Sequence, residues 1–64
     1  MALYRCYFLN QEDRVHWAED FEAEALSEAI DKSRRMLRAR GPATKSIEIW
    51  QGPHKLYPPA AAPG

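Results

Sequence analysis

A single cysteine, Cys6, stands in the 64-residue chain, so no disulfide can close within it. Small secreted domains ordinarily rely on several such bridges, and a reducing, cytoplasmic setting is therefore expected. Glycine is scarce as well, with three in the chain. Gly-rich phosphate loops, Gly-x-Ser-x-Gly elements and zinc-finger spacings are all missing. No stretch approaches the ~20 apolar residues that a membrane span requires. The first nine residues are apolar but are interrupted by Arg5, and no small-residue cleavage site follows, so they do not read as a signal peptide. Net charge is zero and the pI is about 6.7, whereas a protein that grips nucleic acid usually carries a basic excess. A domain this short buries only about 60% of the surface its unfolded chain exposes. That leaves little room for a deep substrate cleft above a supporting core, and an enzyme is not expected.

The neutral balance hides a sorting of charge. Between residues 10 and 31 the acids Glu12, Asp13, Glu19, Asp20, Glu22, Glu24, Glu28 and Asp31 face one base, Arg14. From residue 32 to 45 every charge is positive: Lys32, Arg34, Arg35, Arg38, Arg40 and Lys45.

Residues 3–9 are aromatic-rich and largely apolar on both alternating sets, which suits a strand in the middle of a sheet. Asn10-Gln11-Glu12-Asp13 reads as a turn, because Asn and Asp tolerate left-handed geometry and bond to their own backbone. Val15, Trp17, Phe21 and Ala23 then recur at a spacing of two, predicting a second, antiparallel strand. Pairing Leu9 with Arg14 sets Phe8 against Val15, Cys6 against Trp17 and Tyr4 against Glu19. A one-residue slip would bring His16 and Asp20 among the core aromatics.

Around Glu24 the period changes to about 3.6. Leu26, Ile30, Ser33 and Leu37 share a stripe with Ala29 and Met36 beside it, predicting an amphipathic helix that Gly41-Pro42 stops. Glu28 and Lys32, and Asp31 and Arg35, stand four residues apart in the favoured acid-to-base order. Ser46-Ile47-Glu48-Ile49-Trp50 alternates again as a third strand. After Gly52-Pro53, Lys55-Leu56-Tyr57 could add a short fourth strand at an edge. Residues 58–64, rich in Pro and Ala, lack periodicity and read as a disordered tail behind a single domain spanning 1–57.

The expected fold is α+β, ββαβ(β), with a small antiparallel sheet in the order 2-1-3 and one helix packed on one face. Tyr4, Cys6, Phe8, Val15, Trp17, Phe21, Ile47 and Ile49 form the inward set, meeting Leu26, Ala29, Ile30 and Leu37. The uncovered face holds Leu3, Arg5, Tyr7, Leu9, His16, Ala18, Asp20, Glu48 and Trp50. A wet sheet face is normally polar, and this one mixes large apolar side chains with charges.

Candidate chemistry is thin. Cys6 with His16 or His54 is the cheapest route to a nucleophile or metal site, but the register separates Cys6 from His16 across the sheet, and cysteine is among the most often buried residue types. Strand alternation sends Glu19 and Asp20 to opposite faces, and the acidic run has no metal-ligand motif. Arg34 and Arg38 stack one turn apart with Lys45 in the following loop, a ridge that could hold phosphates. The same bases also complement the helix dipole and the acids Glu28 and Asp31. Arg5, Tyr7 and Trp50 on one sheet face are reminiscent of modules that stack bases, although the strand motif of those modules is missing.

Several short segments together resemble a group of short bacterial proteins that have no established function. These open on a Tyr-Arg-x-Tyr-Phe-Leu strand, here residues 4–9, and continue through Glu-Asp-Phe-Glu, here 19–22. An Ala-Ile helix start, here Ala29-Ile30, and a Trp-Gln-Gly strand end, here 50–52, complete the likeness. Members of the group often carry a glycine in the first turn and a polar helix start, where this chain has Asp13 and Ala25-Leu26. With no activity attached to the group, the resemblance implies no site residues.

The sequence therefore points to no catalytic residue, cofactor, metal or small-molecule ligand. The expected partner is a protein or a second copy of the chain, met through Leu3, Arg5, Tyr7, Leu9 and Trp50. Neither a membrane nor nucleic acid is expected as a partner. The alternative is a weak single-strand nucleic-acid binder that combines open-face aromatics with the basic ridge Arg34, Arg38 and Lys45.

Overall fold

Strand β1 (Ala2–Leu9) lies inside the sheet because it can satisfy neighbours on both sides and bury apolar groups on both faces. It pairs antiparallel with β2 (Val15–Ala23) and with β3 (Ser46–Gln51), and β3 pairs antiparallel with β4 (His54–Tyr57). The sheet order is thus β2-β1-β3-β4, four strands where the sequence required three. Gly52, at φ 57°, turns β3 into β4, a backbone region that a side chain would strain. This computed structural model describes residues 1–59; from residue 60 onward the expected tail lies outside the described residues.

The β1–β2 register corrects the expected one by two residues. Phe8 faces Trp17, Cys6 faces Glu19 and Tyr4 faces Phe21. The turn supplies one residue of that displacement. The Asn10 N–H donates to the Arg14 carbonyl at 2.8 Å and Asp13 takes a left-handed φ of 61°, so Leu9 meets Val15 instead of Arg14. A bulge at His16 supplies the other. An even displacement keeps Trp17, Glu19 and Phe21 on the side of Cys6 and Phe8, which is why the faces survive. Val15 is the exception. Opposite Leu9 and 53% exposed, it leaves the expected inward set.

Helix α1 (Leu26–Arg40) crosses one face of the sheet and ends at Gly41, whose φ of 77° stops it before a single 3-10 turn, Gly41–Ala43. Its closest approach is made by small residues. Ala29 and Ser33 are fully buried, while Leu26, Ile30, Met36 and Leu37 pack around them and remain partly exposed. Lys32 pairs with Glu28 at 3.7 Å, but Asp31 and Arg35 form no ion pair among the described residues. The core is Tyr4, Cys6, Phe8, Ala23, Ala29, Ile47 and Ile49. Full burial of side chains such as Phe8 or Ile49 stabilises by about 1.5–3 kcal/mol each.

Trp17 keeps its expected side but is 48% exposed. Arg40, the last residue of α1, is what covers it. Its guanidinium lies 4.6 Å from the Trp17 ring centroid and 4.8 Å from that of Phe8, and 3.7 Å from Glu19 Oε1. An arginine stem and plane thereby cap the end of the apolar layer while the charge stays in contact with water.

Candidate functional site

With α1 on one face, the other face of the sheet is left open, and β1 and β3 place its principal side chains. Arg5 stands between Asp20 on β2 and Trp50 on β3. It donates from Nε to Asp20 Oδ1 at 2.7 Å and from Nη2 to Oδ2 at 3.0 Å, a bidentate pair. These bonds hold the Asp20 carboxyl below its ordinary range and raise the guanidinium still higher. Tyr7, between Ala18 and Glu48, meets Trp50 edge-on, with ring centroids 6.2 Å apart and planes at 86°. The Trp50 indole N–H donates to Glu48 Oε1 at 3.1 Å. Leu3, 61% exposed, completes a shallow concavity of about 270 Å³ with Tyr4, Arg5, Tyr7, Asp20 and Gly52.

Four of the five residues expected on this face thus contribute surface, with Tyr7 and Trp50 half-buried against each other. The fifth, Leu9, is buried beside Val15 and Ser46 and offers almost none. Sequence alternation assigns its side but not its neighbours.

The basic ridge is divided. Arg34 Nη2 donates to the Tyr57 hydroxyl at 3.0 Å, which raises its already high pKa. Lys45 Nζ donates to Asp13 Oδ1 at 2.8 Å. Arg34 and Lys45 line one cleft of about 250 Å³ with Leu37, Ser46, Ile47, Tyr57 and Pro58. Arg38 lines another, of about 320 Å³, with Asp31, Arg34 and Arg35. Both lie on the helix side of the sheet, away from Tyr7 and Trp50. A strand stacked on those aromatics would have to round an edge to touch the ridge.

Cys6 is fully buried, and burial pushes its thiol pKa up. Its neighbour is the Ser33 hydroxyl, itself buried without a hydrogen-bond partner, and neither histidine bonds to it. His16 Nε2 lies 3.0 Å from Thr44 Oγ1, and His54 is exposed on β4. No group of three or more His, Cys, Asp or Glu that could hold a metal ion occurs among the described residues. The helix is neither long nor apolar enough to cross a membrane.

Two features escape the pattern reading. Arg40 looks like one more base at a helix end, yet the i, i+4, i+7 spacing from Ser33 through Leu37 puts it on the inward stripe. The second is a groove of about 400 Å³ between β2 and α1, lined by Glu19, Asp20, Phe21, Lys32, Arg35 and Met36. No sequence signal marks it, because it arises where two elements diverge.

Fold and site together define a small α+β domain: a four-stranded antiparallel sheet, covered by one helix and open on its other face. No protein-family model, no curated protein and no solved structure matches the chain.

Proposed function

We propose that this chain is a non-enzymatic interaction module that associates with a second copy, or with another protein, through the open sheet face. One observation carries the reading. Leu3, Tyr7 and Trp50 form an apolar patch around the Arg5–Asp20 pair on a face that no element among the described residues covers. A self-complementary contact suits that composition, since aromatic and arginine side chains are the enriched groups of interface cores. The molecule measures 32 × 30 × 18 Å, so its broad face can supply the roughly 800 Å² per partner of a stable interface.

Sedimentation velocity at micromolar concentration tests this. The wild-type chain is expected to sediment as a dimer, and Trp50→Ala to weaken association by about tenfold or more, as truncation of a central aromatic does. A monomer in both samples removes the self-association form. The base-stacking alternative is disfavoured because its aromatics and its basic ridge, Arg34, Arg38 and Lys45, stand on opposite sides of the sheet, while Arg5 on the aromatic side is engaged by Asp20.

A further inference from the structure

The sheet has two edges, and they are not alike. β4 is four residues long and runs into Pro58 and Pro59, which have no N–H to offer. β2 is nine residues long and contains neither proline nor lysine. Of the devices that blunt a sheet edge it has one bulge and acidic side chains, which repel an acidic strand and leave a basic one free to pair. The His16 bulge bounds its regular part at one end. At the other, the Glu22 carbonyl accepts from Lys32 Nζ at 3.1 Å. Between them the outer edge of β2 faces no strand among the described residues.

Beside that edge lies the β2–α1 groove. It is walled by Phe21 of β2 and Met36 of α1, with the stems of Lys32 and Arg35 along the helix. Phe21 and Met36 both pack against the core while remaining partly exposed. A strand added to β2 would send alternate side chains to opposite faces of the sheet. On the helix side they would enter the groove against Phe21 and Met36. On the other side they would pass Asp20 and Glu22, and β2 itself carries Glu19, Asp20 and Glu22 with no Lys or Arg. Asp20 is engaged by Arg5 and Glu19 by Arg40, but Glu22 has no ion-pair partner among the described residues.

We infer that β2 and the adjoining groove form a docking site for an extended peptide segment that alternates apolar and basic residues. Main-chain hydrogen bonds to the free edge supply the pairing. The apolar side chains fill the groove, and the basic ones face Glu22 and its neighbours. The acidity of β2 discriminates against acidic strands and against copies of β2 itself in most registers.

The test uses the intact chain, isotope-labelled, and a capped peptide of about seven residues alternating Lys and Val, near the ordinary length of a strand. Saturable shifts of the Met36 methyl and the Phe21 ring, with new exchange protection of alternate β2 amides, are expected. An otherwise identical peptide N-methylated at alternate amides should bind at least about tenfold more weakly, and so should a Glu/Val peptide. No saturable shift at millimolar peptide overturns the proposal, as does equal binding of the N-methylated or acidic peptide. The Trp50→Ala variant should bind the peptide unchanged. Loss of binding there would place the contact on the open face and overturn the edge assignment, whereas a monomeric wild-type chain leaves it untouched.

Discussion

At the scale of single residues, the least comfortable atom in the molecule is Ser33 Oγ. It is fully buried next to the Cys6 thiol and finds no hydrogen-bond partner. A buried hydroxyl without a partner costs about 1–3 kcal/mol, and serine is a poorer helix former than alanine. Ser33→Ala should therefore stabilise the domain by about 1 kcal/mol, raising Tm by roughly 4–8 °C in a chain of this size. Thermal unfolding by circular dichroism measures this, and a fall in Tm would mean that the hydroxyl has a role the geometry does not show. Asp13 illustrates the reverse case. Its left-handed φ is poorly tolerated by most side chains, yet it suits Asp and places Oδ1 on Lys45. Asp13→Ala should cost about 1–2 kcal/mol in urea unfolding, while Asp13→Gly, which relieves the backbone and forfeits only an exposed ion pair, should cost little or nothing.

At the scale of elements, α1 begins without a side-chain cap. Ala25 holds the extended geometry of an N-cap residue but has no side-chain oxygen to offer, and the Glu28 carboxylate turns to the Glu24 N–H at 3.2 Å. Ala25→Ser would stand three residues before Glu28 and complete a capping box, adding about 1 kcal/mol. Chemical denaturation should show that gain, and an unchanged midpoint would mean that Glu24 and Glu28 already satisfy the first turn. The helix and the first strand were the most legible elements. Ala29, Ser33 and Leu37 repeat at four, and residues 3–9 are apolar on both faces. The β1–β2 pairing was less so. Nothing in the alternation of Val15 and Trp17 reveals that His16 is an extra residue, because a bulge preserves composition while it changes register.

At the scale of the whole molecule, charge sorted along the sequence becomes charge joined across the sheet. Arg5 binds Asp20 between neighbouring strands, and Lys45 and Arg40 reach back to Asp13 and Glu19. The Arg5–Asp20 pair makes stability depend on acid. Its carboxyl titrates lower in the folded chain than in the unfolded one. Its contribution is therefore complete above the ordinary carboxylate range and is lost as pH falls through the depressed folded value. Acid titration should show Asp20→Asn less stable than wild type near neutrality and the two converging at low pH. The difference should shrink in high salt, since both side chains are about half exposed. A gap that persists at the acid end would assign the effect to packing rather than charge. The open face belongs to this scale as well. Tyr7 and Trp50 can be assigned to one side by alternation, but that Leu9 is buried while Leu3 is bare depends on which neighbours stand beside them.

Local pattern alone settled the helix and the first three strands, the interior place of β1 and the face on which each β1 and β3 side chain stands, because periods of two and 3.6 are written in the order of residues, but it left the fourth strand open. Tertiary structure decided the register of β2, the capping of Trp17 by Arg40 and the groove between β2 and α1. Each of these depends on how far one element extends past another, a distance in space that no spacing along the chain encodes.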